Sequence, residues 1–327
     1  MAGGELVLFT LPPSEVLGSA VAAEIGCESA PYELRRFDDG ELKIRPLVSV
    51  RGRDAYVVCS LHGDADETVH DRLCRLLFFC GALRDSGAGR ITLVTPYLCY
   101  ARKDRRTNPR DPVTTRYVAR LVEAAGADRI VTIDVHNLAA YENAFRIASE
   151  NLEARALFVE QCRRLGARPL AVVSPDPGGF HRAESLRDGL EQATGERVEL
   201  AMLGKHRKGG VVRSEAFVGD VAGRVAVIVD DMIVTGTTLI RAADACRARG
   251  AIAVHAMATH AVFTAATPEV LAAPALDGIV VTDTISPTRA ALGSAQAKVR
   301  VLSVAPLLGR AIRALHGELA TAPLHEL

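Results

Sequence analysis

Short apolar, β-branched runs punctuate the chain at residues 56–59, 91–94, 130–135, 170–173, 225–229, 254–259 and 279–281. Most are nearly continuous in hydrophobicity. Alternation marks a strand with one wet face, whereas a continuous run is what a strand covered on both faces requires. Between the runs lie stretches with helical spacing, so the pattern predicts an α/β fold with mainly parallel, doubly wound sheets.

The chain also echoes itself. Gly126 and Ala127 precede a run ending near Asp134 and His136, and Gly250 and Ala251 precede one ending near His260, with each histidine ten positions after its glycine. Upstream of each stand an Ala-rich helical stretch and, before that, the similar segments GRITLVTP (89–96) and GRVAVIVDD (223–231). Two tandem similar domains follow, placed at 1–155 and 156–327, and a chain of this length can hold two ordinary cores. From Arg90 to Gly126 is 36 positions, against 26 from Arg224 to Gly250. The surplus falls at 100–112, a polar stretch with two prolines and five Lys/Arg, and reads as a long functional loop.

Charge narrows the chemistry. With 39 basic and 39 acidic residues the formal net charge is zero, so no global field draws nucleic acid or an acidic membrane, and any anion must be held locally. Seven scattered cysteines without a Cys-x-x-Cys pair predict reduced thiols rather than a disulfide frame or a zinc site. No apolar run approaches the roughly 18 residues that span a bilayer, and no leader pattern opens the chain. The expectation is a soluble, cytoplasmic protein that binds neither membrane nor nucleic acid.

The sharpest local signal is AVIVDDMIVTGTT at 226–238. Apolar residues make a buried strand, Asp230 and Asp231 sit where it is expected to end, and Thr235, Gly236, Thr237 and Thr238 form a turn that opens a predicted helix over 239–247. Gly236 lets the backbone approach a ligand, while turn amides and hydroxyls present donors that suit a monophosphate. The two acids would repel a phosphate, and fit vicinal ribose hydroxyls or Mg²⁺ better. A ligand-free Thr/Asp helix cap is the alternative.

This stretch resembles the phosphoribosyl-diphosphate motif shared by type I phosphoribosyltransferases and ribose-phosphate diphosphokinases. Five further segments, in family order, resemble the diphosphokinases: RRFDDGELKIRP (35–46), TPYLCYARKDRRTNPRDPVTTRYVA (95–119), IVTIDVHN (130–137), VVSPDPGG (172–179) and LGKHRKGGVVRSEAFVGDVAGR (203–224). The resemblance implies two phosphoribosyltransferase-like domains, with a C-terminal helix returning to the first. It implies transfer of the β,γ-diphosphoryl group of Mg·ATP to ribose 5-phosphate, with Mg²⁺ as cofactor. In it Phe37, Asp39, Glu41, Arg102, Lys103 and Asp104 take ATP, with the purine stacked on Phe37. Asp230, Asp231 and the 235–238 turn take ribose 5-phosphate, His136 and Asp176 hold metal, and Lys205 and Arg207 act in catalysis from a mobile loop. Strand alternation would put Asp134 and His136 on one side. A homo-oligomer with active sites near a subunit interface is also implied.

Each segment has a plainer alternative: a turn at Asp39 and Gly40, a solvated basic loop at 100–112, a bare turn at 175–179, and a solvated hairpin around Lys205. The sequence departs from the family at Val234 and Thr237, where an acidic residue and a glycine are usual, at LHGDADETVHD (61–71), and around Ser303, where a fuller serine-rich pattern is usual. Phosphate activation and ADP inhibition are therefore not carried over. A phosphoribosyltransferase, or a catalytically weak or silent partner of an active diphosphokinase, stand as alternatives.

Overall fold

The computed structural model describes residues 4–166, 169–208, 211–287 and 292–317; the side chains of 205–208 and 211–215 lie outside the described residues. The chain divides into two compact units. One runs from Met1 to Glu153 and takes back the chain from Ser303 onward, and the other spans Ala154–Leu302.

The first unit is built on a five-stranded parallel sheet of order β1-β4-β5-β6-β7: β1 (Leu6–Thr10), β4 (Asp54–Val58), β5 (Arg90–Val94), β6 (Arg129–Ile133) and β7 (Ala148–Leu152). Helices α1 (Glu15–Ile25), α2 (Val69–Asp85), α3 (Thr114–Ala124) and α4 (Leu138–Ala144) connect the strands, and a hairpin of β2 (Tyr32–Arg36) and β3 (Leu42–Pro46) stands apart from the sheet. All five residues of β4 are buried, as the apolar run 55–58 demands, with Asp54 at its start paired to Arg90. Alternate residues Val7, Phe9, Ala55, Val57, Ile91 and Leu93 join Leu73, Leu76 and Phe79 of α2 and Val118 and Val122 of α3 in one core. Phe9 meets Phe79 edge-on at 5.0 Å between ring centres, and each such buried ring or leucine contributes roughly 1.5–3 kcal/mol. The last helix of this unit, α9 (Ala305–His316), packs on α1. A Cβ at Gly309 would stand 2.7 Å from Glu24 Cβ, so glycine is what lets the two helices approach.

The second unit opens with α5 (Arg155–Arg163) and carries a seven-stranded sheet of order β10-β9-β8-β11-β12-β13-β14. Its strands are β8 (Leu170–Ser174), β9 (Glu199–Lys208), β10 (Val211–Val218), β11 (Val225–Ile233), β12 (Ala253–Ala261), β13 (Gly278–Thr282) and β14 (Val299–Leu302). All pairs are parallel except β9 with β10. Helices α6 (Phe180–Thr194), α7 (Thr237–Ala248) and α8 (Thr267–Leu271) complete it.

The α/β class, the parallel sheets and the return of the C-terminal helix agree with the sequence. The echo has a structural counterpart too: β5, α3 and β6 repeat as β11, α7 and β12, with 95–113 as the long connection in one and 234–236 in the other. The equivalent histidines differ, however. His260 is buried inside the longer β12 with Nδ1 2.9 Å from Thr284 Oγ1, whereas His136 is exposed beyond the end of β6. Strands β2, β3, β7, β9, β10 and β14 escaped the apolar pattern because they form a separate hairpin or lie towards sheet edges, where polar side chains are tolerated; β1, whose LVLFT run is apolar, also lies outside the runs named from the sequence. No helix among the described residues is long and apolar enough to cross a membrane.

Candidate functional site

In the second unit the chemistry gathers beyond the carboxyl ends of the parallel strands, the usual place for ligands in open α/β sheets. Strand β8 makes its last pair with β11 at Val173 and Ile228, but β11 runs on to Ile233 against β12. Asp230 and Asp231 therefore stand on an overhang inside the strand and not at its end, because β12 continues to hydrogen-bond there. The Asp231 side chain is 4% exposed and that of Asp230 22%. Burial first, and then the neighbouring Asp231 carboxylate, push the Asp230 carboxyl well above the usual carboxylate range. Arg182 Nη1, from the first turn of α6, lies 3.8 Å from one oxygen of each acid, which supplies an attractive field at a distance longer than a hydrogen bond. The acids thus favour a cation or hydroxyl donors. Arg182 was not singled out in the sequence; its signal was a basic residue in the helix that opens directly after Gly178 and Gly179.

The turn after β11 is tightly specified. Gly236 is buried with φ of +80°, and a Cβ there would lie 2.9 Å from Leu271 Cδ2. Gly236→Ala is expected to destabilise the protein by about 1–2 kcal/mol and to disturb the turn, read out by urea denaturation and by binding of a sugar phosphate. Thr237 begins α7 and is not among the residues with positive φ, so the missing second glycine imposes no backbone strain. Its Oγ1 lies 3.0 Å from Thr235 Oγ1, and both residues are exposed. At Val234 the carbonyl accepts from the Thr267 hydroxyl and, at 3.3 Å, from Thr264 N, which anchors the turn from behind. No side chain caps α7, leaving its first amides to face a ligand.

Asp176 sits just past β8, with Oδ1 accepting from Gly178 N at 2.9 Å and Gly179 N at 3.1 Å. Its carboxylate is thus oriented by the two glycines. Lys205 and Arg207 lie on β9 after Met202, where pairing with β8 stops and only the antiparallel β9–β10 ribbon continues. The expected loop is strand up to Lys208; the two side chains lie outside the described residues.

In the first unit the 95–113 connection is fastened internally. Asp111 Oδ2 accepts from Lys103 Nζ at 2.6 Å, Thr107 Oγ1 at 2.7 Å and Asn108 N at 2.9 Å, and these bonds, Lys103 first, hold its carboxyl far below the usual range. Asp104 Oδ2 accepts from Asn137 Nδ2 at 2.5 Å, while Asn137 Oδ1 caps α4 at Ala140 N, 3.1 Å. Lys103 and Asp104 therefore shape the loop, and Arg102 is left exposed with no carboxylate partner among the described residues. Strand alternation does not reach His136: β6 ends at Ile133, and Asp134 turns the chain with φ of +43°, its amide on Leu152 O and the next amide on Asn151 Oδ1. Non-glycine residues held at positive φ cluster at functional sites.

The segment 37–41 is the β-turn that its Asp-Gly pair predicts, at the tip of the β2–β3 hairpin. Phe37 N donates to Glu41 O at 2.8 Å and Glu41 N to Asp39 Oδ1 at 3.0 Å. Phe37 is 39% exposed with the Arg35 guanidinium 4.9 Å from its ring centre. Among the described residues no hydrogen bond or ion pair ties this tip to the loop that carries Arg102.

No three His, Cys, Asp or Glu side chains among the described residues converge as a metal cage. Mg²⁺ is commonly held by one or two carboxylates while keeping waters and taking substrate phosphates. Asp176, and the acid pair with its disfavoured double charge, fit that mode.

The chain matches two family models, described as the N-terminal domain of ribose phosphate pyrophosphokinase (residues 6–126) and a phosphoribosyl synthetase-associated domain (residues 192–325). A ribose-phosphate pyrophosphokinase of Hyphomonas neptunium is 38% identical over 321 residues, 98% of this chain and 99% of that protein. Ribose-phosphate pyrophosphokinase 1 of Streptococcus pneumoniae is 33% identical over 100% of this chain and 99% of its own. The crystal structure of phosphoribosylpyrophosphate synthetase from Mycobacterium smegmatis aligns with a TM-score of 0.86 at 34% identity, covering 96% of this chain and 100% of that one.

Proposed function

Because this chain belongs to the ribose-phosphate pyrophosphokinase family, we infer that it makes 5-phospho-α-D-ribose 1-diphosphate, moving the β,γ-diphosphoryl group of ATP to ribose 5-phosphate and releasing AMP. The observation that carries the assignment is the overhang of β11, with Asp230 and Asp231 beside a glycine-hinged threonine turn. A phosphoribosyltransferase needs one such domain and would leave the first unit, with its 37–41 tip, without a role.

In this reading the amides and hydroxyls of Thr235, Gly236, Thr237 and Thr238 hold the 5-phosphate. Asp230 and Asp231 accept from the ribose hydroxyls, which fixes the sugar so that its 1-hydroxyl is directed at the β-phosphorus. Arg102 pairs with the nucleotide phosphates, as a bidentate guanidinium suits, and Lys103 and Asp104 hold the loop that presents it. Phe37 stacks on the purine, with Asp39 and Glu41 accepting from its amine. His136 and Asp176 serve as ligands of Mg²⁺ or its waters. When bound, Mg²⁺ neutralises phosphate charge and polarises the reacting phosphoryl group. Lys205 and Arg207 offset the charge that develops during in-line transfer. Little covalent chemistry falls to the protein; positioning and charge carry the acceleration.

Among the described residues no hydrogen bond or ion pair ties the 37–41 tip to the Arg102 loop, which fits the family expectation that a second copy supplies the tip, hence a homo-oligomer. Seven free cysteines suit a reducing, cytoplasmic setting. Pure protein with Mg²⁺ and ATP is expected to release AMP only when ribose 5-phosphate is added. A protein that releases none would be the silent partner instead.

A further inference from the structure

Strand alternation sorts the side chains of the β2–β3 hairpin onto two faces. Glu33 and Arg35 share one, where Glu33 pairs with Arg45 and Arg35 lies against the Phe37 ring. Tyr32, Leu34 and Arg36 share the other with their cross-strand partners Ile44 and Leu42. That second face lies on α2: the Tyr32 ring is 5.8 Å from that of Phe79, Ile44 is buried in the core, and Leu34 and Leu42 pack against it. Arg36 is the last position of this face before the 37–41 tip. It puts a guanidinium where Leu34, Leu42 and Ile44 put hydrocarbon.

The group that meets it is Glu67, from the segment just before α2. The Arg36 guanidinium pairs with Glu67 Oε1. The same carboxylate takes Arg75 through Nη1 at 2.5 Å and Nη2 at 2.9 Å, and Arg72 through Nε at 3.3 Å. Arg72 and Arg75 are each 1% exposed, so their buried charges require that anion. Arg72 pairs in addition with Asp64, and Arg75 Nη2 donates to Pro12 O at 2.6 Å. The backbone around Glu67 is held as well: its amide donates to Asp64 Oδ1 at 3.0 Å, and Thr68 and Asp71 close a capping box on α2. Glu67 is therefore a carboxylate fixed in place by two buried cations.

Folding has little use for the third cation. The Arg36 side chain is 52% exposed, and an ion pair so hydrated adds little to stability. It also brings a third guanidinium to a cluster whose carboxylates are Glu67 and Asp64. What the pair supplies is direction, because a guanidinium fork meets a carboxylate in a set orientation that apolar surfaces do not impose. Phe37 follows at once, and its amide opens the turn by donating to Glu41 O. We propose that Glu67 is a positioning residue for the nucleotide, gripping Arg36 so that Phe37, Asp39 and Glu41 are presented at a fixed angle. The segment 61–71, where the chain departs from its family, thereby acquires a task. The proposal rests on the reading of the 37–41 tip as part of the ATP site.

Arg36 is the side of the pair to change, since Glu67→Gln would leave two buried cations short of charge. Arg36→Met keeps an unbranched stem on α2 and removes the charge. The full-length variant should melt at an unchanged temperature, yet hydrogen exchange of the amides over 36–42 should quicken. Calorimetric binding of α,β-methylene-ATP, in which the bond to be cleaved is blocked, should weaken about threefold to fivefold, the range of one exposed ion pair. KM for ATP should rise by the same factor, with kcat and the KM for ribose 5-phosphate unchanged. Arg36→Lys, which keeps the charge but not the fork, should lie between the two. Phe37→Ala serves as the reference, with binding of the analogue weakened about tenfold by loss of one stacking face. Unchanged exchange over 36–42 in Arg36→Met overturns the proposal. So does quicker exchange with normal binding of the analogue while Phe37→Ala binds it weakly. A lowered melting temperature, or equal weakening towards ribose 5-phosphate, marks a general structural role and also overturns it. Normal binding of the analogue by Phe37→Ala is the separate result that removes the tip from the ATP site, and it takes the proposal with it.

Discussion

Lys205→Ala should lower turnover by about 10³-fold or more while leaving the unfolding temperature essentially unchanged. In a phosphoryl-type transfer the protein acts mainly through charges fixed where negative charge builds up. One such donor is typically worth about 10²–10³ in rate, and a cation contributed directly to the transferring group about 10³–10⁵. Lys205 sits on the part of β9 that has left β8 and continues only as a two-stranded ribbon, so its removal takes nothing from the parallel core. Steady-state release of AMP beside a thermal melt checks both halves of the expectation. Near-normal turnover would remove Lys205 from the mechanism, and a collapsed melt would make its role structural.

The largest expected effect on stability belongs to Asp54. Its side chain is fully buried at the start of β4, where it accepts from Arg90 Nε at 2.8 Å and also pairs with Arg90 Nη2, while His316 Nδ1 stands 2.8 Å away. Arg90 Nη2 donates in addition to Leu315 O at 3.0 Å. A strand from early in the chain and the last turn of α9 are thereby joined through one carboxylate. Asp54→Asn is expected to destabilise the protein by about 3 kcal/mol, the low end for a broken buried pair because Arg90 is 31% exposed and can be partly hydrated. Urea denaturation gives the value, and hydrogen exchange over 305–316 should show α9 losing protection first. Identical exchange in the two proteins would mean that the apolar contacts of α9 with α1 suffice.

The same residue predicts an acid limb. Burial on its own would raise the Asp54 carboxyl, but the Arg90 and His316 bonds outweigh it and leave the group below its ordinary value. A carboxylate depressed in the folded state contributes stability that is present above its unfolded value, near 3.9, and lost as pH falls through the folded one. The protein should therefore lose stability below about pH 4, and Asp54→Asn should flatten that part of the profile.

Parts of the site could be read directly from the letters. The pairing of Asp230 and Asp231 with Thr235 to Thr238 is local: a buried strand, its last acids and a glycine turn lie within a dozen residues, and short-range geometry sets them. The acid pair was expected at the strand's end, and it lies inside the strand because β12, far along the chain, continues the ladder to Ala261. His136 was expected in alternation with Asp134. A left-handed residue at Asp134, whose amide donates to Leu152 O while the next amide donates to Asn151 Oδ1, both in the neighbouring strand, breaks that register.

The amino-acid sequence by itself determined the α/β class, the doubled plan and the glycine-threonine turn after β11, since hydrophobic period and turn chemistry act over a few residues. Tertiary structure alone decided that Arg182 approaches the acid pair, that Asp104 is bound by Asn137 at the start of α4, and that Asp54 ties α9 to β4. Each of those is a pairing of polar side chains brought together by folding, and the partner of a charge is chosen by distance in space, which spacing along the chain does not encode.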